Sequence, residues 1–111
     1  MAPSIQSDIL LILTTWPTLE LARTSVQTLV EEKCAACGNI VGGLESIYRW
    51  EGKVEKSAEV LVIFKTTRGA YYHLESRIRQ LHPYAVPEIL GFPVGAGLAT
   101  YLQWVGESCV S

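Results

Sequence analysis

Positive charge is scarce in this chain. Nine Lys and Arg stand against eleven Asp and Glu, for a net charge of −2, and the pI is about 5.6. No basic field exists to neutralise phosphates, so nucleic acid is not an expected partner. Long hydrophobic runs are also missing. The longest early run, Ile9 to Leu13, covers five residues, whereas a membrane-spanning helix needs about 20. The opening residues MAPSIQSD carry no Lys or Arg, unlike the basic start of a secretory signal. A cytoplasmic protein with no membrane partner is therefore expected. Three cysteines is an odd number, which argues against a disulfide framework. There is no Gly-rich phosphate loop, nucleophile elbow or spaced carboxylate pair, and the serines and two histidines suggest no triad. Nothing points to an enzyme.

What is present is a greasy chain of one domain's length. The 111 residues are 49% hydrophobic and mean hydropathy is +0.23. A single domain over residues 1–111, with its core at about 8–106, fits that length. The apolar surplus is expected at a subunit interface.

DILLILTT (8–15) reads as a buried central strand. Pro17 ends it and Thr18 can cap a helix, whose stripe is Ala22, Val26, Leu29 and Val30 and whose end falls near Lys33. NIVGGLESIYRW (39–50) has strand spacing interrupted by Gly42-Gly43, the mark of a bulge. EGK (51–53) is a hairpin signal, and the return strand runs over roughly 54–67. Both strands are long for the chain, so the hairpin should project and need another subunit to cover its edges. Tyr71, Leu74, Ile78 and Leu81 mark a second helix, with Glu75 and Arg79 as a solvent-side pair. Pro83 and Pro87 break it. EILGFPV (88–94) is a fourth strand, and a terminal helix over 95–105 turns Leu98, Tyr101, Leu102 and Val105 inward.

The order strand–helix–strand–strand–helix–strand predicts an α+β, ferredoxin-like split βαβ sandwich with a C-terminal helix. Its antiparallel sheet carries helices on one face and needs a subunit to cover the other.

Cys34 and Cys37 form a C-x-x-C. A structural zinc site needs four ligands, and the chain offers only a distant Cys109 besides His73 and His82. A redox pair belongs at a helix N-terminus, where the dipole lowers the thiol pKa, whereas this pair follows a helix C-terminus. That leaves two small apolar residues at a helix-to-strand junction, Cys37 being the one expected inward.

The loop LHPYAVPEIL (81–90) gathers His82, Tyr84 and Glu88 between stiffening prolines. It reads either as a ligand or metal pocket or as a helix stop whose Tyr packs over a strand. Trp50, Glu51 and Lys53 cluster at the hairpin tip, where an aromatic side chain anchors a partner or covers its own core. Lys65 ends an apolar strand and would need a carboxylate, Glu59 or Glu88, if buried.

EEKCAACGNIVGGLESIYRWEGKVE, VLVIFKTT, LHPYAVPEIL and YLQWV together resemble the CutA family, the divalent-cation-tolerance proteins, over about residues 9–106. The resemblance implies the ferredoxin-like fold assembled as a homotrimer, implicated in tolerance to copper(II) or another divalent cation. Some members are assigned copper ligands at positions matching Thr14, Leu81 and His82, of which only His82 keeps a donor of that kind. A metal site here would use His82, with Glu88 and Cys37 contributing. The architecture also resembles the PII signalling trimers. The alternative is thus a sensor or adaptor that binds a small anion, another small molecule or a partner protein in an inter-subunit cleft, through Trp50, Lys65, Tyr84 and Glu88.

Overall fold

The computed structural model describes residues 8–110, and the expectation drawn from the first residues falls on positions 1–7, outside that range. In chain order the elements are β1 (Ile9–Trp16), α1 (Leu19–Glu31), β2 (Cys37–Trp50), β3 (Lys53–Thr67), α2 (Arg68–Leu81), β4 (Ile89–Pro93) and α3 (Ala99–Ser108). The sheet order is β2-β3-β1-β4 and every neighbouring pair is antiparallel. This is the split βαβ arrangement expected from the element order. Among the described residues no helix is long and apolar enough to cross a membrane.

Alternation along the central strands sorts side chains between two faces. Leu10, Ile12, Thr14 and Trp16 of β1 lie opposite Thr66, Phe64, Val62 and Val60 of β3, and all eight are buried. Ala22, Val26 and Leu29 of α1 and Leu74 and Ile78 of α2 close over that face to make the main core. Trp16, fully buried and donating its indole N–H to Thr14 Oγ1 at 2.7 Å, is the large core residue that the strand pattern alone did not single out.

The opposite face is apolar but partly open. Leu11 and Leu13 lie across from Phe92 and Leu90 of β4, which are 48% and 50% exposed. Helix α3 covers one end, where Leu102 and Val105 pack with Ile9 and Ala36. Leu98 and Tyr101 were expected inward with them but are exposed: Leu98 is the N-cap, and only one stripe of so short a helix can reach the sheet.

Local chemistry explains the element ends. Thr18 and Thr67 cap α1 and α2, their hydroxyls accepting from the amides of Leu21 and Ala70, each at 3.1 Å. Helix α1 stops in a Schellman turn. The Cys34 amide donates to Leu29 O at 3.0 Å and the Lys33 amide to Val30 O at 3.0 Å, with Lys33 held at φ 61°. The hairpin joins Trp50 to Lys53 through Glu51-Gly52, both at positive φ, as a two-residue type I′ turn requires. Register slips by one residue between Val41 and Leu44, with Gly43 at φ 79°, so the glycine pair is a bulge. The hairpin stretches the molecule to 50 × 25 × 23 Å.

Three further expectations need correction. Cys34, not Cys37, is the fully buried cysteine, because the Schellman turn folds Cys34 back under α1 before the strand begins. Glu75 accepts from the Tyr71 hydroxyl at 2.8 Å rather than pairing with Arg79, and it is Arg77 that forms an ion pair, with Glu32. Lys65 donates to the amide oxygen of Asn39, not to Glu59 or Glu88, because its strand register places it beside β2.

Candidate functional site

Pro83 forbids continuation of α2, so the chain turns at His82, whose amide closes the helix on Ile78 O at 2.8 Å. The side chain is swung under the loop and is 6% exposed. Its Nε2–H donates to Thr15 O at 2.7 Å, and its Nδ1 accepts from the Tyr84 amide at 3.2 Å. The ring lies 4.5 Å from the Trp16 indole and 4.6 Å from the Tyr84 phenol. A carbonyl on one nitrogen and an amide on the other fix the tautomer. Both nitrogens are committed, and the imidazole ties the loop to the end of β1.

Tyr84 reaches across to β3, where its hydroxyl donates to Glu59 Oε2 at 3.0 Å. Burial, together with the bond and charge of Glu59, pushes this phenol up to about 12. Glu59 is itself buried, and the Tyr84 bond offsets part of its desolvation.

Beside this pair runs a groove of about 680 Å³ between the 84–88 loop and the hairpin. Three carboxylates line it, Glu45, Glu59 and Glu88, together with Trp50 and Tyr84, and among the described residues no Lys, Arg or His does. The structure thus brings together Trp50, Tyr84 and Glu88 from the expected set. It keeps Lys65 and Cys37 apart from them within one subunit. Cys37 pairs with Lys65, and Lys65 pairs in turn with Leu11, four positions along β1 from Thr15, or about 13 Å of strand. The Cys37 sulfur instead lies 3.8 Å from the Tyr101 hydroxyl.

The copper position implied by the resemblance does not fit these residues. The Thr14 hydroxyl is held by Trp16, Leu81 packs against the core, and His82 has no free nitrogen. Two groups were missed by sequence reasoning. Glu45 gave no signal, because its place in the groove depends on the Gly42-Gly43 bulge. Glu32, Cys34 and His73 place their donor atoms within 4.8 Å of one another, although His73 is far along the chain.

Comparisons with known proteins agree with the fold. The chain matches the family described as CutA1 divalent ion tolerance protein over residues 10–108. It is 50% identical over 97 residues to the divalent-cation tolerance protein CutA of Thermus thermophilus, covering 87% of this chain and 94% of that one. The chloroplastic protein CutA of Arabidopsis thaliana is 38% identical over 99 residues, 89% of this chain but 54% of its own length. The Thermus thermophilus structure superposes with a TM-score of 0.90 at 47% identity, over 92% of this chain and 99% of that one. The Oryza sativa structure gives 0.92 at 36%, over 97% and 99%. With a family match over nearly its whole length and a relative at half identity, the chain belongs to the CutA divalent-ion-tolerance family.

Proposed function

We propose that the protein is a non-enzymatic homotrimer that acts in divalent-cation tolerance by binding cations weakly in the groove between the 84–88 loop and the hairpin. The carrying observation is the sign of that groove: among the described residues Glu45, Glu59 and Glu88 line it and no cationic side chain does. Carboxylates in a concave, partly desolvated surface concentrate cations and repel anions. They do not form a compact ligand cage, so affinity is weak, with Kd on the order of 10⁻⁴–10⁻³ M. Oxygen donors alone suit hard cations such as Mn(II), and copper(II), which gains more from nitrogen and sulfur, binds here less selectively. His82 serves by holding the loop in place.

The trimer is supported by the partly open apolar sheet face around Leu90 and Phe92, since exposed apolar surface of that kind marks an interface. Calorimetric titration of metal-free protein with Mn(II) and with Cu(II) at neutral pH tests the cation reading. Saturable binding should weaken several-fold in Glu88→Gln and persist in His82→Ala. No binding of either ion overturns it.

A sensor or adaptor role is favoured by one observation, the half-exposed Trp50 and Tyr48 that flank the same groove. The anion version also needs Lys65, which a neighbouring subunit would have to supply, and it predicts a loss of anion binding in Lys65→Ala.

A further inference from the structure

Away from the groove, the C-terminus of α1 meets the middle of α2 at three different donors: the Glu32 carboxylate, the Cys34 sulfur and the His73 imidazole. We infer that Glu32, Cys34 and His73 form a second, chemically distinct cation site, selective for a borderline-soft divalent ion such as zinc or cobalt. The inference is independent of the groove.

Sulfur, imidazole nitrogen and carboxylate oxygen in a set of three are the donors of an open tetrahedral site, which keeps a fourth position for water. Their atoms lie within 4.8 Å of one another, against the ~3.5 Å separation of ligand atoms on a tetrahedral zinc. Glu32 and His73 are exposed, so their side chains can turn inward to close that gap. Cys34 is held in place by its backbone. It is fully buried, its amide donates to Leu29 O at 3.0 Å and its carbonyl accepts from the Thr66 hydroxyl at 2.7 Å. The backbone that carries the sulfur is therefore fixed. The last turn of α1 contains no basic residue, and the negative end of the helix dipole lies towards a cation held there.

At present a cation already sits there. Arg77 grips Glu32 with two bonds, Nε to Oε1 at 2.8 Å and Nη2 to Oε2 at 2.9 Å. A metal ion must share or displace that guanidinium, so Arg77 sets the affinity of the site. The Cys34 thiol must also ionise. Its proton leaves to solvent as the sulfur–metal bond forms, and charge is conserved.

The test is titration of the full chain with Co(II), followed by thiolate-to-cobalt charge-transfer absorption. One cobalt per chain is expected, with a band that disappears in Cys34→Ala and is unaffected by Glu88→Gln. His73→Ala, at an exposed position that does not endanger folding, should weaken binding by about 10-fold or more. Arg77→Gln should tighten it several-fold. Absence of a thiolate band, its survival in Cys34→Ala, or indifference to His73→Ala would overturn the assignment.

Discussion

The Nε2–H of His82 donates to the carbonyl oxygen of Thr15 across 2.7 Å, and this bond ties the end of α2 to the end of β1. The ring is buried between Trp16 and Tyr84, so it is a structural fastener for the loop that forms one wall of the groove. His82→Ala leaves a buried carbonyl without its donor and a void against Trp16. Loss of about 2–4 kcal/mol of stability is expected, measured by chemical unfolding, while cation binding per folded chain stays within about twofold, since the ring is not a donor.

Alkaline pH should expose a second consequence of that loop. Tyr84 and Tyr71 are both raised to about 12, first by burial and then by the Glu59 and Glu75 carboxylates that accept from them. The unfolded chain releases these protons near the ordinary phenol value of about 10, whereas the folded chain keeps them until about 12. The stability they contribute is complete below about pH 10 and is lost as pH rises towards 12. Absorbance titration of the native protein should show late-ionising phenols, one of which disappears in Tyr84→Phe. Titration of every tyrosine near pH 10 would contradict the bond to Glu59.

Lys33 occupies the left-handed position of the Schellman turn at φ 61°, where a side chain is strained and glycine is not. Lys33→Gly should stabilise the protein by about 0.5–1 kcal/mol, read as a rise in the unfolding midpoint. A fall would mean that the lysine side chain makes a compensating contact.

Phe92 and Leu90 stand half-exposed on the sheet face away from α1 and α2. Phe92→Lys puts a charge into the proposed trimer contact, and sedimentation should show the mass falling from trimer towards monomer. In the unsubstituted protein the unfolding midpoint should drop on dilution, because association and folding are linked by mass action. A trimer unaffected by Phe92→Lys places the contact elsewhere.

The architecture was legible because its signals are local. Thr18 caps a helix wherever it precedes one, Glu51-Gly52 forms a tight turn by backbone geometry, and Gly42-Gly43 announces the bulge. The element order then leaves few topologies. The site was less legible because it depends on register and side-chain direction. Lys65 reads as part of the cleft from the likeness to the PII trimers, but pairing with Cys37 and Leu11 carries it down the strand. His82 reads as a donor from its residue type, and only Thr15 O and the Tyr84 amide reveal that its nitrogens are taken. The buried member of the C-x-x-C was misjudged because the Schellman turn reverses the chain at Lys33. Glu32 and His73 meet through the packing of α1 on α2, which no spacing along the chain encodes.

Paramagnetic broadening by substoichiometric Mn(II), observed by NMR on the isotopically labelled protein, tests the central claim most directly. The account predicts that the Trp50 indole and the resonances of Glu45, Glu59 and Glu88 broaden first, and that Glu88→Gln reduces the effect. Broadening that spares these residues, or falls evenly over the surface, would show that the groove is not where the protein meets divalent cations.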